Sequence, residues 1–103
     1  MHRIRDARLD EAPLLQDIED DAGRRYGEVG IPEDLEGLAR AVVEAAIREG
    51  TTWVATDDDD APIGFALCWV RKDALHLREL DVRQAHMRRG IGRRLLEHVA
   101  ERA

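Results

Sequence analysis

The pattern of hydrophobic residues predicts an α+β fold with a mixed sheet: a strand, two helices, an antiparallel three-strand meander, then a last helix. Three observations carry this. Apolar residues recur at helical spacing in Leu14, Leu15, Ile18 and Ala22, and again in Leu35, Leu38, Ala39, Val42, Ala46 and Ile47. The run Ile63 to Val70 (IGFALCWV) is almost wholly apolar, as expected of a central strand covered on both faces. Gly90 to Ala103 places Ile91, Leu95, Leu96, Val99 and Ala103 on one face of a closing helix.

Each element has its own local reasons. Ile4 between arginines reads as a short edge strand, and Asp10 can cap a helix that has Pro13 in its first turn. Gly23, Gly27 and Gly30 weaken that helix, so Arg24 to Ile31 reads as its end and a loop. Pro32-Glu33-Asp34 opens the second helix with acids at the positive end of its dipole, and Gly50 stops it.

Thr51 to Thr56 is β-branched and aromatic, hence a strand, and Asp57 to Asp60 before Pro62 reads as a hairpin turn. The four aspartates lack the alternating spacing and distal glutamate of a calcium loop. After a turn at Arg71 to Ala74, Leu75 to Val82 alternates, but Leu75 and Leu77 fall out of phase with Leu80 and Val82. Such a phase change is the mark of a β-bulge, which splays a strand from its neighbour.

Composition limits the function. The 103 residues suit one small core, and a net charge of −6 opposes general affinity for nucleic acid or an anionic membrane. No run approaches the ~20 apolar residues of a membrane span, and Met1 to Asp10 is too charged for a signal peptide. The lone Cys68 cannot form an internal disulfide and lies in an apolar run, in keeping with a reducing, cytoplasmic setting. With no serine in the chain, serine-nucleophile chemistry is excluded. Lys72 is the single lysine, so arginine abundance reflects composition bias as much as chemistry.

One local charge inversion stands out. Arg83 to Arg94 (RQAHMRRGIGRR) holds five arginines and no acid, and it contains Gly90 and Gly92 where a strand gives way to a helix. The first amides of a helix lack internal partners and carry the positive end of its dipole, and glycines let an anion approach the backbone. A P-loop would require Gly-Lys-Ser/Thr, which is absent, and a dinucleotide fold a third glycine where Leu95 stands.

The stretch Leu80-Asp81-Val82, then Met87-Arg88-Arg89-Gly90-Ile91-Gly92, then Arg93-Arg94-Leu95-Leu96 resembles the GNAT superfamily of acyl-CoA-dependent N-acyltransferases, whose signature is Gln/Arg-x-x-Gly-x-Gly/Ala. Met87 departs from the usual Gln/Arg, which should weaken rather than abolish binding, since the family's pyrophosphate contacts are mainly backbone amides.

The resemblance implies a GNAT-like β-α-α-β-β-β-α order and acetyl-CoA as cosubstrate, with no metal. By it, amides from Arg88 through Arg89, Gly90, Ile91 and Gly92 to Arg93 would bind the pyrophosphate, and the backbone of Leu80, Asp81 and Val82 the pantetheine arm. It also implies a catalytic base on the preceding strand, where Glu79 at the bulge and His76 are both candidates. A carboxylate at Glu79, beside apolar residues, would have a raised pKa. His86 reads as a surface group.

In the family the loop after the first helix shapes the acceptor site, here offering Glu19, Asp20, Arg24, Arg25 and Tyr26. Glu19 and Tyr26 are the candidate substrate contacts; acidic Glu19 and Asp20 either attract an amine or form a solvated helix end. The family's fold ordinarily continues with a further strand, helix and hairpin, including a tyrosine that protonates the thiolate, so residues 1–103 read as one partial domain.

The expected activity is acetyl transfer to an amine of a small molecule or peptide; the alternative is a coenzyme A-binding module without turnover. Neither nucleic acid nor membrane is an expected partner. An open edge at Leu75 to Val82 predicts a homodimer or strand-exchanged oligomer.

Overall fold

The structure is a computed structural model and describes residues 2–27 and 38–103, the side chains of 24–27 excepted. The expected helix start at Pro32-Glu33-Asp34, and Leu35, lie outside these residues. The described chain runs β1 (Arg3–Asp6), α1 (Ala12–Gly27), α2 (Arg40–Arg48), β2 (Thr52–Thr56), β3 (Pro62–Arg71), β4 (Ala74–Val82) and α3 (Ile91–Arg102). The four strands form one antiparallel sheet in sequence order, with β1 and β4 at its edges. This is the α+β arrangement expected.

The sheet is the middle of three layers. Alternate residues of its central strands face opposite ways. Val54, Phe65 and Leu67 pack with Ala12, Leu15 and Ile18 of α1 and Val43 and Ala46 of α2. Trp53, Ala55, Ile63, Ala66 and Cys68 pack with Ile91, Leu95 and Val99 of α3. A strand between two helical layers has no solvent face, which is why IGFALCWV lacks polar residues.

The helices differ from expectation in phase and length. In α2 it is Val43 that is buried while Val42 is exposed, and in α1 Leu14 turns outward as Ala12 turns in. Two adjacent apolar residues cannot both face a layer at 100° per residue, and the sheet selects one. Helix α1 also continues through Gly23 to Gly27, so the first four residues of the expected helix end and loop are helix. Packing of Leu15, Ile18 and Ala22 offsets the glycine penalty of about 1 kcal/mol. Gly50 ends α2 at φ 76°, the left-handed stop expected of it.

Two turns close the meander. In the first, the Asp57 carboxylate accepts the amides of Asp59 (2.8 Å) and Ala61 (3.0 Å). In the second, Lys72 and Asp73 both take positive φ, the twist that a two-residue hairpin requires. The bulge lies where the phase change placed it: Leu67 pairs Glu79 and Cys68 pairs Leu77, leaving Arg78 as the extra residue.

The N-terminal edge is held by charge. Arg5 donates to both carboxylate oxygens of Glu11 (2.9 and 2.7 Å) and to Asp60 (2.9 Å), while Glu11 also accepts the Arg8 amide (2.8 Å). The Arg5 hydrogen bonds lower the Glu11 pKa against the opposing effect of burial. Glu11→Ala strands the Arg5 guanidinium and the Arg8 amide, and should cost about 2 kcal/mol in urea unfolding at neutral pH. Because the folded pKa is depressed, this contribution is present above the ordinary 4.5 and fades as pH falls through the lowered value, so variant and wild type should converge in acid.

Candidate functional site

Strand β4 and the start of α3 enclose a cleft of about 350 Å³. Its wall includes Leu80, Asp81 and Val82 from β4, Met87 and Arg88 from the basic turn, and Gly90, Ile91, Gly92 and Arg93 from the head of α3. Nine of the ten residues expected to hold a cofactor therefore surround one cavity; Arg89 is exposed and does not line it. Ala22 of α1 and His86 complete the wall. His86, expected at the surface, is half-buried because the turn tucks its ring edge-on to His2, 6.3 Å between centroids.

The local chemistry of the turn explains the cleft. Gly90 caps α3 at φ 76°, and Arg88 is held at φ 65°, so the chain doubles back sharply before the helix. The first internal bond at this end runs from the Arg94 amide to the Gly90 carbonyl, 3.1 Å, which leaves the amides of Ile91, Gly92 and Arg93 directed out of the helix end. A side chain at Gly92 would sit 3.9 Å from Val82, filling the space between turn and strand. The turn is tied to α1 by Gln84, whose amide donates to Asp21 Oδ2 (2.8 Å) and whose Nε2 donates to the Asp21 carbonyl (2.6 Å).

The backbone of β4 supplies the second set of polar groups. The Arg83 amide donates to the Ile63 carbonyl at 2.9 Å, so Arg83, and with it Asp81 and Glu79, point their backbone groups toward β3. Leu80 and Val82, alternating with these, point theirs to the open side. Among the described residues β4 has no partner on that side. Gly64 lets β3 approach here: a Cβ on it would lie 3.1 Å from the Asp81 carbonyl and 3.2 Å from Val82.

On the α1 face of β4 lies a group of acids. Glu19, Glu79 and Asp81 bring one oxygen each within 4.8 Å of one another, a spread that could hold a cation. Glu19 is oriented by accepting the Leu38 amide at 2.8 and 3.0 Å, and burial raises its pKa against that bond. Asp81 is raised to about 8, by burial first, then by its hydrogen bond with Glu79 and the charges of Glu79 and Glu19. Its Oδ2 is out of water and accepts no hydrogen bond from the described residues, which favours the protonated form, while Arg78 Nη1 lies 3.6 Å from Glu79 Oε2.

Of the candidate catalytic residues, the structure brings Glu79 into this group and leaves His76 outside it. His76 is exposed, opposite Trp69, whose ring carries the guanidinium of Arg71 at 4.1 Å and of Arg78 at 5.6 Å. Glu19 is in place beside Glu79; Tyr26 belongs to the last turn of α1, and its side chain is outside the described residues. The Asp81 side chain, expected only to offer its backbone, is the acid the sequence missed.

A glycine-headed helix beside an edge strand with a bulge thus presents helix-head amides and outward strand groups to one cleft, an arrangement that suits an anion. Residues 12–103 match the model of the Acetyltransferase (GNAT) family, and the chain belongs to that family. Among solved structures, N-acetylglutamate synthase from Neisseria gonorrhoeae, complexed with coenzyme A and N-acetyl-glutamate, superposes with a TM-score of 0.75 at 23% identity, over 99% of this chain and 22% of that one.

A Mycobacterium tuberculosis protein in complex with CoA gives 0.74 at 20%, over 96% and 55%. The ribosomal-protein-S18-alanine N-acetyltransferase of Escherichia coli gives 0.73 at 21%, over 99% and 59%. The chain thus spans little more than half of two of these proteins and less of the third. No described helix is long and apolar enough to cross a membrane.

The raised Asp81 gives a pH signature. The folded chain keeps this proton up to about 8 while the unfolded chain releases it near 3.8, so the folded state binds more protons between those values and stability should fall as pH rises across them. Glu19 acts with the same sign. Melting temperature followed from mildly acidic to mildly alkaline pH should decline in the wild type and flatten in Asp81→Asn.

Proposed function

We propose that this chain is the cofactor-holding part of an N-acetyltransferase that moves an acetyl group from acetyl-CoA to a primary amine of a small molecule or peptide. The observation that carries the reading is the convergence in one cleft of free helix amides, a basic turn and the outward backbone groups of Leu80 and Val82. A pyrophosphate suits the first two, since its oxygens accept several amide bonds next to positive charge. A pantetheine amide suits the third, as a strand suits an edge.

Acetyl-CoA would supply the activated acyl group; this chain's part is to orient it and to manage the amine's proton. An incoming amine is an ammonium ion at neutral pH, and Glu19, Glu79 and Asp81 form a cation-attracting group beside the cleft. Glu79 is then the base that takes the proton, because it lies in that group and His76 does not. Asp81 holds or releases a proton near neutral pH, which lets the pair accept one without building up two adjacent charges. The net charge of −6 supports a role away from nucleic acid and anionic membrane, and the lone buried Cys68 a cytoplasmic one.

A second reading is coenzyme A binding without turnover, since the helix-head amides and the outward groups of Leu80 and Val82 serve binding alone. Association with a second copy, by strand pairing or exchange at β4, which has no outer partner among the described residues, belongs to the same proposal.

Thermal shift separates these readings from unrelated ones. Acetyl-CoA and free coenzyme A should each raise the melting temperature, a DNA oligomer should not, and Gly90→Val should weaken the response; no response to acetyl-CoA sinks both readings. Thiol release with a panel of amines then divides enzyme from binder. For the enzyme, Glu79→Gln should lower kcat by about 10²–10⁴-fold and His76→Ala only a few-fold; the reverse order would assign the base to His76.

A further inference from the structure

Two successive side chains, Arg78 and Glu79, reach the same face of β4. Phe65 and Leu67 lie in the layer of α1 and α2, so Trp69, in phase with them on β3, is on that face as well. The Arg78 guanidinium stands 5.6 Å from the centre of the Trp69 ring, and Glu79 meets Glu19 of α1. In a regular strand such neighbours point to opposite faces; here Arg78 is the surplus residue of the bulge, which removes that constraint.

The result is a positive group set against a negative one. Arg78 Nη1 lies 3.6 Å from Glu79 Oε2, close enough for attraction but longer than a hydrogen bond, and the guanidinium donates no hydrogen bond to any described residue. Burial is the main cause of the raised Glu19 pKa, and the charge of Arg78 works against it, so Arg78 is felt across the acid group. The side chain is steadied instead by Trp69, whose ring also carries Arg71 at 4.1 Å. Arg78 thus keeps its fork of N–H donors, and a fork of that shape matches a carboxylate through two parallel bonds.

The spacing selects the ligand. A molecule that gives an ammonium to Glu79 and an anion to Arg78 must carry its two charges about as far apart as those side chains are. In an α-amino acid both hang from one carbon, ~3 Å apart. Two hydrogen bonds of ~2.8 Å then close a ring across the 3.6 Å gap. The side-chain amine of a lysine in a peptide has no such neighbour, a peptide N-terminus carries an amide in place of the carboxylate, and the charge of a phosphate ester lies farther off.

We propose that the acceptor is a free α-amino acid, with Arg78 binding its carboxylate beside the Trp69 ring while its amine faces Glu79. This rests on the acetyltransferase reading above and narrows the amine to one class. Arg78 sets specificity and takes no part in the proton's path. Glu79 takes one proton from the ammonium; the nitrogen then bonds to the acetyl carbon, the C–S bond breaks, and the nitrogen's second proton leaves with the thiolate as a thiol.

Thermal shift of the chain saturated with coenzyme A tests this without need of turnover. One or more of the common L-α-amino acids, taken singly at millimolar concentration, should raise the melting temperature further, while the matching carboxamide and the amine lacking the carboxylate should not. In Arg78→Gln the unliganded melting temperature and the response to coenzyme A should be little changed, and titration should show the dissociation constant of the amino acid raised about 10–100-fold. Arg78→Lys, which keeps the charge and loses the fork, should fall between the two.

Amides or amines that stabilise the coenzyme A complex as well as the amino acids do, or an amino-acid response that survives Arg78→Gln, overturns the proposal. A chain that responds to coenzyme A and to no amino acid overturns it too, and leaves the acetyltransferase reading standing. A chain that does not respond to coenzyme A at all defeats that reading first, and the proposal with it.

Discussion

Arg78 is one residue more than β3 can pair, and most of the site depends on where that surplus goes. Up to Leu77 the two strands match residue for residue; from Glu79 on they match again, displaced by one. The displacement brings Leu80 and Val82 onto the α3 layer and turns Glu79 and Asp81 toward α1. With a continuous alternation the acids would face the apolar layer beneath α3 and the leucines would face Glu19, and neither layer could form. The hydrophobic demand of the sheet thus compels the bulge, and the bulge delivers the carboxylates.

The basic turn is positioned by the same layers. Ile91 and Leu95 anchor the head of α3 in the core, Gly64 allows β3 to come close behind Asp81 and Val82, and Asp21 holds Gln84 from across the sheet. With both ends fixed, the stretch from Gln84 to Gly90 has little freedom, and two of its seven residues, Arg88 and Gly90, take left-handed conformations to complete the path. An arginine in that region costs about 1 kcal/mol more than a glycine would. The charge at the mouth of the cleft is maintained despite that cost.

Much of this was legible in the sequence because its signals are local. A phase change within eight residues reveals a bulge, a run without polar residues reveals a two-sided strand, and a glycine after the last apolar position of a helix reveals its stop. The glycine turn needed no tertiary knowledge, and its residues from Met87 to Arg93, Arg89 excepted, do line one cleft. Choices settled at a distance were not legible: Val43 over Val42, Leu15 over Leu14, the persistence of α1 past Gly23, and Arg5 binding both Glu11 and Asp60, which is 55 residues away. Asp81 is the instructive case. Its alternation with Leu80 and Val82 gives its face, but its proton depends first on burial, then on Glu79, and last on Glu19, 62 residues earlier.

Asp81 also belongs to both halves of the site, its residue lining the cleft while its carboxyl meets Glu79 and Glu19. Any occupant that changes the water around Asp81 must change its proton affinity, and by reciprocity proton concentration must then change the occupant's affinity. Ligand uptake on the basic side of β4 is thereby joined to proton uptake on the acidic side through one side chain. In a calorimeter, such a link takes the form of a binding heat that varies with the ionisation enthalpy of the buffer.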